Sequence, residues 1–320
     1  MAKPSPPRML GSSSQWRESG RARRYRRTVA GIEFTTSDGR RLDLYVDGPD
    51  DATPVVFHCG TPGSGIPYPA LVRSLSDRGL RYVSWSRPGY ANSTRQEGRS
   101  VASVVADATE ILDSLDADRA WMLGWSGGGP HALACAALMP DRVLGTALIG
   151  CVAPYGADGL DFLAGMGQEN IEEFNAAIDG PDALIGFMEQ VWLEFRRVTA
   201  SEIAASLGDL VDDVDRSSIT GDFADWFAVI VQDGLRDSFW GWFDDDMTFV
   251  RDWGFGLTNI AGPVHIWQGA HDRMVPFAHG EWLSEHVRGA CPHLSDEHGH
   301  LTLIVDSLAQ ILDELIPSTR

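Results

Sequence analysis

Residues 120–139, AWMLGWSGGGPHALACAALM, decide the fold of this 320-residue chain. Residues 120–124 form a short, mostly apolar run that is typical of a buried strand, and the alanine-rich residues 127–139 are typical of a helix. A glycine-rich turn joins the two. The stretch therefore predicts a strand, a tight turn and a helix, with Ser126 at the turn.

Ser126 stands in a Gly-x-Ser-x-Gly set, residues 124–128. Between a strand and a helix such a set is a nucleophile elbow, which exposes the serine hydroxyl at the edge of a sheet. Its glycines remove β-carbons that would clash in so sharp a turn, and the N-terminus of the following helix favours negative charge near the serine. The alternatives are a phosphate-binding loop and a plain tight turn, but no Gly-Lys-Ser/Thr pattern supports the first.

Strands and helices alternate on both sides of this turn. The predicted strands are residues 54–58, 80–85, 120–124, 142–149, 264–268 and 291–294, and the predicted helices are residues 68–78, 100–115, 127–139, 277–287 and 301–315. Such alternation predicts a parallel sheet with helices on both faces. Residues 28–37 and 41–46 add an antiparallel hairpin. We therefore expect an α/β fold with a mostly parallel, eight-stranded sheet.

The alternation stops between residues 151 and 262, where the sequence is amphipathic and reads as helical. This insertion holds five of the eleven tryptophans and most of the acidic excess, including Asp244, Asp245 and Asp246. We expect it to be a cap over the carboxyl ends of the strands, where open α/β sheets bind ligands. Its tryptophans suggest an apolar pocket, and its acids are expected to form a solvated face. Residues 28–150 and 263–320 then form the core.

Charge is spread unevenly along the chain. Residues 1–27 carry eight basic residues against Glu18 alone, a net +7 in a chain of net charge −19. Their Pro, Ser and Arg content predicts a disordered basic tail. The acidic remainder would repel phosphates, which argues against a nucleic-acid partner. The sequence contains no run of about 18 consecutive apolar residues, so no membrane-spanning helix is expected.

A serine hydroxyl needs a base, and the base needs a carboxylate that orients it. Behind a nucleophile elbow the expected chain order is serine, acid, histidine. Asp272 follows the predicted strand at residues 264–268, and His300 precedes the last predicted helix. We expect both at strand carboxyl ends, where they can converge on Ser126. His298, two residues before His300, is the alternative base.

The turn at residues 58–64, HCGTPGS, follows the first predicted buried strand. A glycine-rich turn there can offer a backbone N–H to an oxyanion, with the second N–H coming from the residue after the nucleophile. We expect these donors to be Thr61 and Gly127. Cys59 is interpreted as a loop residue.

The four cysteines, Cys59, Cys135, Cys151 and Cys291, form no CxxC pair. They are interpreted as reduced thiols of a cytoplasmic protein. No cysteine–histidine cluster has zinc-finger spacing, so no structural metal is expected. Chemistry by a serine, a histidine and a carboxylate needs no cofactor, and none is expected.

Together these elements resemble the α/β-hydrolase superfamily. They are similar to its capped branch of esterases, enol-lactonases, cofactor-free haloperoxidases, carbon–carbon bond hydrolases, epoxide hydrolases and proline iminopeptidases. Residues 86–93, SRPGYANS, look like the family's Asp-x-Pro-Gly-Tyr-Gly-x-Ser turn. Cys59 and Gly60 stand where the family has His-Gly. A serine rather than an aspartate at the elbow argues against epoxide hydrolase and dehalogenase chemistry.

The residues and the resemblance imply a serine hydrolase that cleaves an ester, lactone or related acyl bond of a small molecule. Ser126 would be the nucleophile, His300 the base and Asp272 the acid, and water would release the acyl group. Three alternatives stay open on the same fold: a cofactor-free lyase or haloperoxidase-like enzyme, a proline iminopeptidase-like peptidase, and a ligand-binding protein without turnover.

Overall fold

The computed structural model of the protein describes residues 31–317. Within them, the strands are β1 (Ile32–Thr35), β2 (Arg41–Asp47), β3 (Pro54–His58), β4 (Arg81–Trp85), β5 (Ala120–Trp125), β6 (Val143–Ile149), β7 (Val264–Gly269) and β8 (Ala290–Ser295). Six helices belong to the alternating part of the chain: α1 (Pro69–Ser76), α2 (Val104–Ser114), α3 (Gly129–Leu138), α10 (Phe277–His286), α11 (His300–Asp306) and α12 (Leu308–Leu315). Six lie in the insertion: α4 (Gln168–Asp179), α5 (Pro181–Phe195), α6 (Ile203–Ser206), α7 (Asp213–Ser218), α8 (Gly221–Gly234) and α9 (Trp240–Phe249).

The eight strands form one sheet in the order β1-β2-β4-β3-β5-β6-β7-β8. The first two pairings, β1 with β2 and β2 with β4, are antiparallel, and the remaining five are parallel. The expected eight-stranded, mostly parallel α/β fold is confirmed. β3 and β5 are central neighbours, so the turns that follow them, with Thr61 and Ser126, emerge side by side at one edge of the sheet.

The burial of each strand matches its position in the sheet. All residues of β3 and β4 are buried, as expected of parallel strands covered on both faces by helices. In the first half of β2, Leu42 and Leu44 are buried while Arg41 and Asp43 are exposed or half-buried, because the strand lies near the antiparallel edge of the sheet. Two large hydrophobic clusters fill the space on the two sides.

The insertion packs directly onto the alternating part of the chain. The ring of Trp226 in α8 lies 5.7 Å from that of Trp125 at the end of β5, and its Nε1 donates to the carbonyl of Ile66. Backbones also touch, because a β-carbon built on Gly89 would lie 2.8 Å from the Cα of Gly241. Only glycines permit so close an approach.

Two expectations were wrong. The single helix expected at residues 301–315 is two helices, since Ser307 leaves helical geometry between α11 and α12 at φ −99°, ψ 2°. The break lets both short helices keep buried apolar faces. The acidic run Asp244–Asp246 is not a solvated face: these side chains are buried in α9, because arginines from outside the insertion pair with two of them.

The predicted basic tail, residues 1–27, lies outside the described residues. None of the helices in the described part of the chain combines the length and apolar character that crossing a bilayer requires. All four cysteines lie within residues 31–317 and are free thiols.

Candidate functional site

Ser126 lies at the turn between β5 and α3, with a φ of +54°. A non-glycine residue in this left-handed region costs on the order of 1–3 kcal/mol and persists only where its surroundings hold it. The surroundings here are close-packed backbone. A β-carbon on Gly128 would overlap the carbonyl of His58, and one on Gly60 would lie 3.2 Å from the Cβ of Ser126. The strained turn presents the serine at the strand edge, as the motif predicts.

Asp272 and His300 form a buried pair. His300 Nδ1 lies 2.7 Å from Asp272 Oδ2, and the exposed fractions of the two residues are 1% and 4%. The carboxylate is held by the turn that carries it: Oδ1 accepts the backbone N–H groups of Met274 and Val275, and Oδ2 accepts from the Gln268 amide. A carboxylate at Nδ1 favours the proton on that nitrogen and leaves Nε2 as the acceptor.

The electrostatics favour a charged imidazole at this position. Burial alone would lower the pKa of His300, but the negative charge and hydrogen bond of Asp272, together with the charge of Asp215, raise it above its ordinary value. The imidazolium that forms when a base takes a proton is therefore stabilised here.

Asp215 in α7 fixes the start of the helix that carries His300. Its carboxylate accepts the backbone N–H groups of His300, Leu301 and Thr302 at 2.7–2.9 Å, and it is fully buried. This satisfies donors that the first turn of a helix leaves unpaired. The contact spans 85 residues of sequence. No local pattern near either end could have identified it.

His300, rather than His298, adjoins the turn at Ser126. The ring centroids of His300 and Trp125 lie 5.8 Å apart. His298 has other contacts: its Nδ1 lies 2.7 Å from the Ser295 hydroxyl, and its carbonyl accepts from the backbone N–H of His271. The geometry therefore favours His300 over its alternative.

Thr61 and Gly127 lie against each other beside Ser126. A β-carbon built on Gly127 would lie 2.8 Å from the Cβ of Thr61, so the residue after the serine has to be glycine. Both residues line the same cavity as Ser126. The structure thus brings the two expected N–H donors and the serine together.

The Thr61 turn is held by a buried ionic cluster that local sequence patterns missed. Arg87 donates to the carbonyls of Cys59 and Gly60 and pairs with Asp245 of α9 at 2.6 Å. Asp245 also accepts from the Thr61 hydroxyl at 2.6 Å. Burial alone would raise the pKa of Asp245, but the guanidinium groups of Arg87 and Arg99 hold it well below its usual value. The carboxylate therefore stays charged and holds the turn.

A cavity of about 100 Å³ adjoins Ser126. Its walls are mostly apolar and come largely from the insertion, with Trp242 as the one insertion tryptophan that lines it among the described residues. The two ionisable side chains at its wall are Glu173 of α4 and Asp246 of α9. At this volume the cavity favours a small ligand.

The remaining candidates are less suited to catalysis. Burial raises the pKa of the Cys59 thiol to about 12, so this cysteine is protonated at neutral pH and is a weak nucleophile. His131 is buried, and burial lowers its pKa to about 4. His279 is engaged by the backbone of Ala153 and Phe162, and His286 stacks on Trp282 at the surface.

Among the described residues, one cluster of side chains has the atom types and spacing that could bind a metal ion. Atoms of His265, His293 and Glu314 lie within 4.8 Å of one another on β7, β8 and α12. The two histidines are 3.1 Å apart, Nδ1 to Nε2, which is the distance of a hydrogen bond between neutral rings. None of the three lines the cavity beside Ser126.

Comparison with known proteins adds the family context. The model of the family described as the alpha/beta hydrolase fold matches residues 53–307. A non-heme chloroperoxidase from Streptomyces lividans is 33% identical over 147 residues, which are 45% of this chain and 53% of that protein. The chain thus spans about half the length of the first curated relatives it matches. An uncharacterized hydrolase, YcgS, from Bacillus subtilis is 25% identical over 84% of this chain and 92% of its own length.

Solved structures show the same fold. The esterase EaEST from Exiguobacterium antarcticum superposes with a TM-score of 0.65, covering 90% of this chain and all of that one, at 21% identity. A bromoperoxidase from Bacillus anthracis superposes with a TM-score of 0.63, covering 90% of this chain and 98% of that one, at 20% identity. At these identities the similarity is one of fold.

Proposed function

The chain belongs to the α/β-hydrolase family, and from that premise we propose that it is a serine hydrolase that cleaves an ester, lactone or related acyl bond of a small molecule. The observation that carries the proposal is the buried 2.7 Å contact between His300 and Asp272, beside a serine held at a φ of +54° on the turn after β5. A structural serine would not require this strained backbone and a buried acid–base pair at the same strand edge.

In the proposed mechanism the Ser126 hydroxyl attacks the substrate carbonyl while His300 Nε2 takes its proton. Asp272 keeps the other imidazole proton on Nδ1 and stabilises the cation that forms. The N–H groups of Gly127 and Thr61 donate to the oxyanion, a role typically worth a factor of about 10²–10³ in rate for each donor. His300 then returns the proton to the leaving group.

Water attacks the acyl-enzyme in the second half of the reaction, with His300 again acting as the base. The chain's own residues supply the nucleophile, the base and the donors, so the proposed reaction uses no cofactor. The insertion serves as the cap, because it provides most of the apolar wall beside Ser126 and excludes water from the acyl group.

The test is labelling of the protein with a fluorophosphonate probe, together with hydrolysis of p-nitrophenyl acetate and butyrate. We expect the native protein to label and to hydrolyse at least one ester, and Ser126→Ala to do neither. Ser201→Ala, which replaces an exposed serine, is the matched control and should change neither the labelling nor the ester hydrolysis.

The outcomes separate the other possibilities. A native protein that neither labels nor turns over an ester contradicts the proposal and favours a binding protein. Labelling without ester hydrolysis favours a non-hydrolytic reaction, and peroxide-dependent chlorination is then the assay to run, since one relative is named a non-heme chloroperoxidase. Release of p-nitroaniline from proline p-nitroanilide without ester hydrolysis indicates an iminopeptidase-like enzyme.

A further inference from the structure

Three consecutive aspartates of α9 are buried, and they differ in their partners. Asp244 accepts two 2.8 Å hydrogen bonds from Arg95. Asp245 pairs with Arg87 and Arg99. Asp246 is 1% exposed, and apart from the carboxyl of Glu173 no group in the described residues offers a hydrogen bond to either of its carboxylate oxygens. A buried carboxylate that is not neutralised by a cation is costly, which sets Asp246 apart from its two neighbours.

The group that faces Asp246 is another carboxyl, that of Glu173 in α4. Glu173 accepts a 2.6 Å hydrogen bond from Trp242 Nε1. Burial raises the pKa of Glu173, and burial together with the charge of Glu173 raises the pKa of Asp246 well above its usual value. Two carboxyl groups so placed hold a proton between them or attract a cation.

This pair lies on the wall of the Ser126 cavity. Glu173 and Asp246 line it together with aromatic side chains, among them Phe174, Trp242 and Phe249. Among the described residues, no lysine or arginine lines the cavity to neutralise the pair. An ammonium group is a compact donor of three hydrogen bonds, and aromatic faces also attract it.

We propose that Asp246 and Glu173 bind a protonated amino group of the substrate in the cavity beside Ser126. The inference deepens the proposed hydrolase function and rests on it, because it assigns a substrate class, a small amine-bearing acyl compound, to the same site. The other carboxyl groups of the run cannot serve, since arginines already neutralise Asp244 and Asp245. Charge-assisted hydrogen bonds would orient the amine, and the apolar walls would accept the carbon chain.

The experiment measures binding of n-butylamine and of its neutral analogue 1-butanol by calorimetry at pH 7, with the native protein and with Ser126→Ala. We expect butylammonium to bind at least tenfold more tightly than butanol to both proteins. We expect the preference to fall to about twofold or less in Asp246→Asn and in Glu173→Gln. Glu172→Gln, a neighbouring exposed acid on the same helix, should keep it.

Binding of butanol and butylammonium with equal affinity to the native protein would overturn the proposal. So would a preference for the amine that survives in both Asp246→Asn and Glu173→Gln, or one that is lost equally in Glu172→Gln. Thermal unfolding of each variant establishes that it is folded, and two independent substitutions keep the test decisive if one is not.

The calorimetric binding measurement does not depend on whether the protein turns over an ester. If no ester is hydrolysed but butylammonium is preferred, the hydrolase proposal fails and the amine site stands. If esters are hydrolysed but the amine is not preferred, the hydrolase proposal stands and the amine site fails.

Discussion

The hydroxyl of Thr61 donates a 2.6 Å hydrogen bond to Oδ2 of Asp245, a residue 184 positions later in the chain. This contact joins the turn beside Ser126 to helix α9 of the insertion. Asp245 is also the partner of two buried arginines, Arg87 and Arg99. The shape of the proposed oxyanion site is therefore set jointly by the sheet and by the insertion.

The first prediction concerns Asp245. Asp245→Asn removes the charge that balances Arg87 and Arg99, which are both 3% exposed in their side chains. Leaving buried charges unpaired costs about 3–5 kcal/mol, and we expect the free energy of unfolding in urea to fall by that amount. Asp296→Asn at the exposed surface should change it by less than about 0.5 kcal/mol. A loss below about 1 kcal/mol for Asp245→Asn would contradict the proposed role of the cluster.

The second prediction concerns pH. The pKa of His300 is raised, and an imidazole is a base only when it is unprotonated. Ester hydrolysis should therefore be present above this pKa and lost as the pH falls through it, with the midpoint above the ordinary histidine value. Asp272→Asn removes the main charge that raises the pKa, so the midpoint should move to lower pH and kcat should fall by a factor on the order of 10⁴. The pH profile of kcat/KM for p-nitrophenyl acetate is the measurement, and a midpoint unmoved by Asp272→Asn would argue against His300 as the base.

The third prediction uses two glycines with similar backbones. Gly150 has a φ of +56°, and a β-carbon on it would lie 2.7 Å from His300 Nδ1; Gly156 has a φ of +74° with nothing within 4 Å. Both alanine variants carry the backbone strain, but only Gly150→Ala pushes the imidazole away from Asp272. Because a displacement of about 1 Å can cost on the order of 10²-fold in rate, we expect that loss of kcat in Gly150→Ala and none in Gly156→Ala. Equal kcat values for the two variants would show that the position of His300 does not limit catalysis.

The fourth prediction separates the two effects of Asp215. Asp215→Ala removes the acceptor of three backbone N–H groups at the start of α11, so the free energy of unfolding should fall by about 1–3 kcal/mol. Its charge also raises the pKa of His300, so the midpoint of the pH profile should move to lower pH, which a purely structural loss would not produce. Asp213→Ala, an exposed residue of the same helix, is the control. A destabilised variant with an unchanged midpoint would limit Asp215 to a structural role.

Ser126, Asp272 and His300 could be proposed as candidates from sequence because each stands in a short local pattern at the end of a strand. A strand pattern and a glycine-rich turn each involve about five to ten consecutive residues, so both can be recognised in a single sequence. The antiparallel hairpin and the eight-stranded sheet could be predicted from the same local periodicities.

The partners of Asp245 and Asp215 could not be found in this way. Arg87 and Asp245 are 158 residues apart, and His300 and Asp215 are 85 apart. These contacts exist only because the insertion docks on the alternating part of the chain, and its docking is not encoded in any local period. For the same reason the run Asp244–Asp246 reads as solvated in sequence and is buried in the structure.

The close approach of Gly89 to Gly241 ties helix α9 to the turn that carries Gly89. If α9 swung outward like a hinged lid, it would break this backbone contact and separate Asp245 from its two arginines, at a cost of several kcal/mol. We therefore expect α9 to stay in place during turnover. If the proposed hydrolase opens its cavity to a substrate, we expect the moving wall to be the segment around α6 with Phe195, Ile203 and Leu207, and not α9.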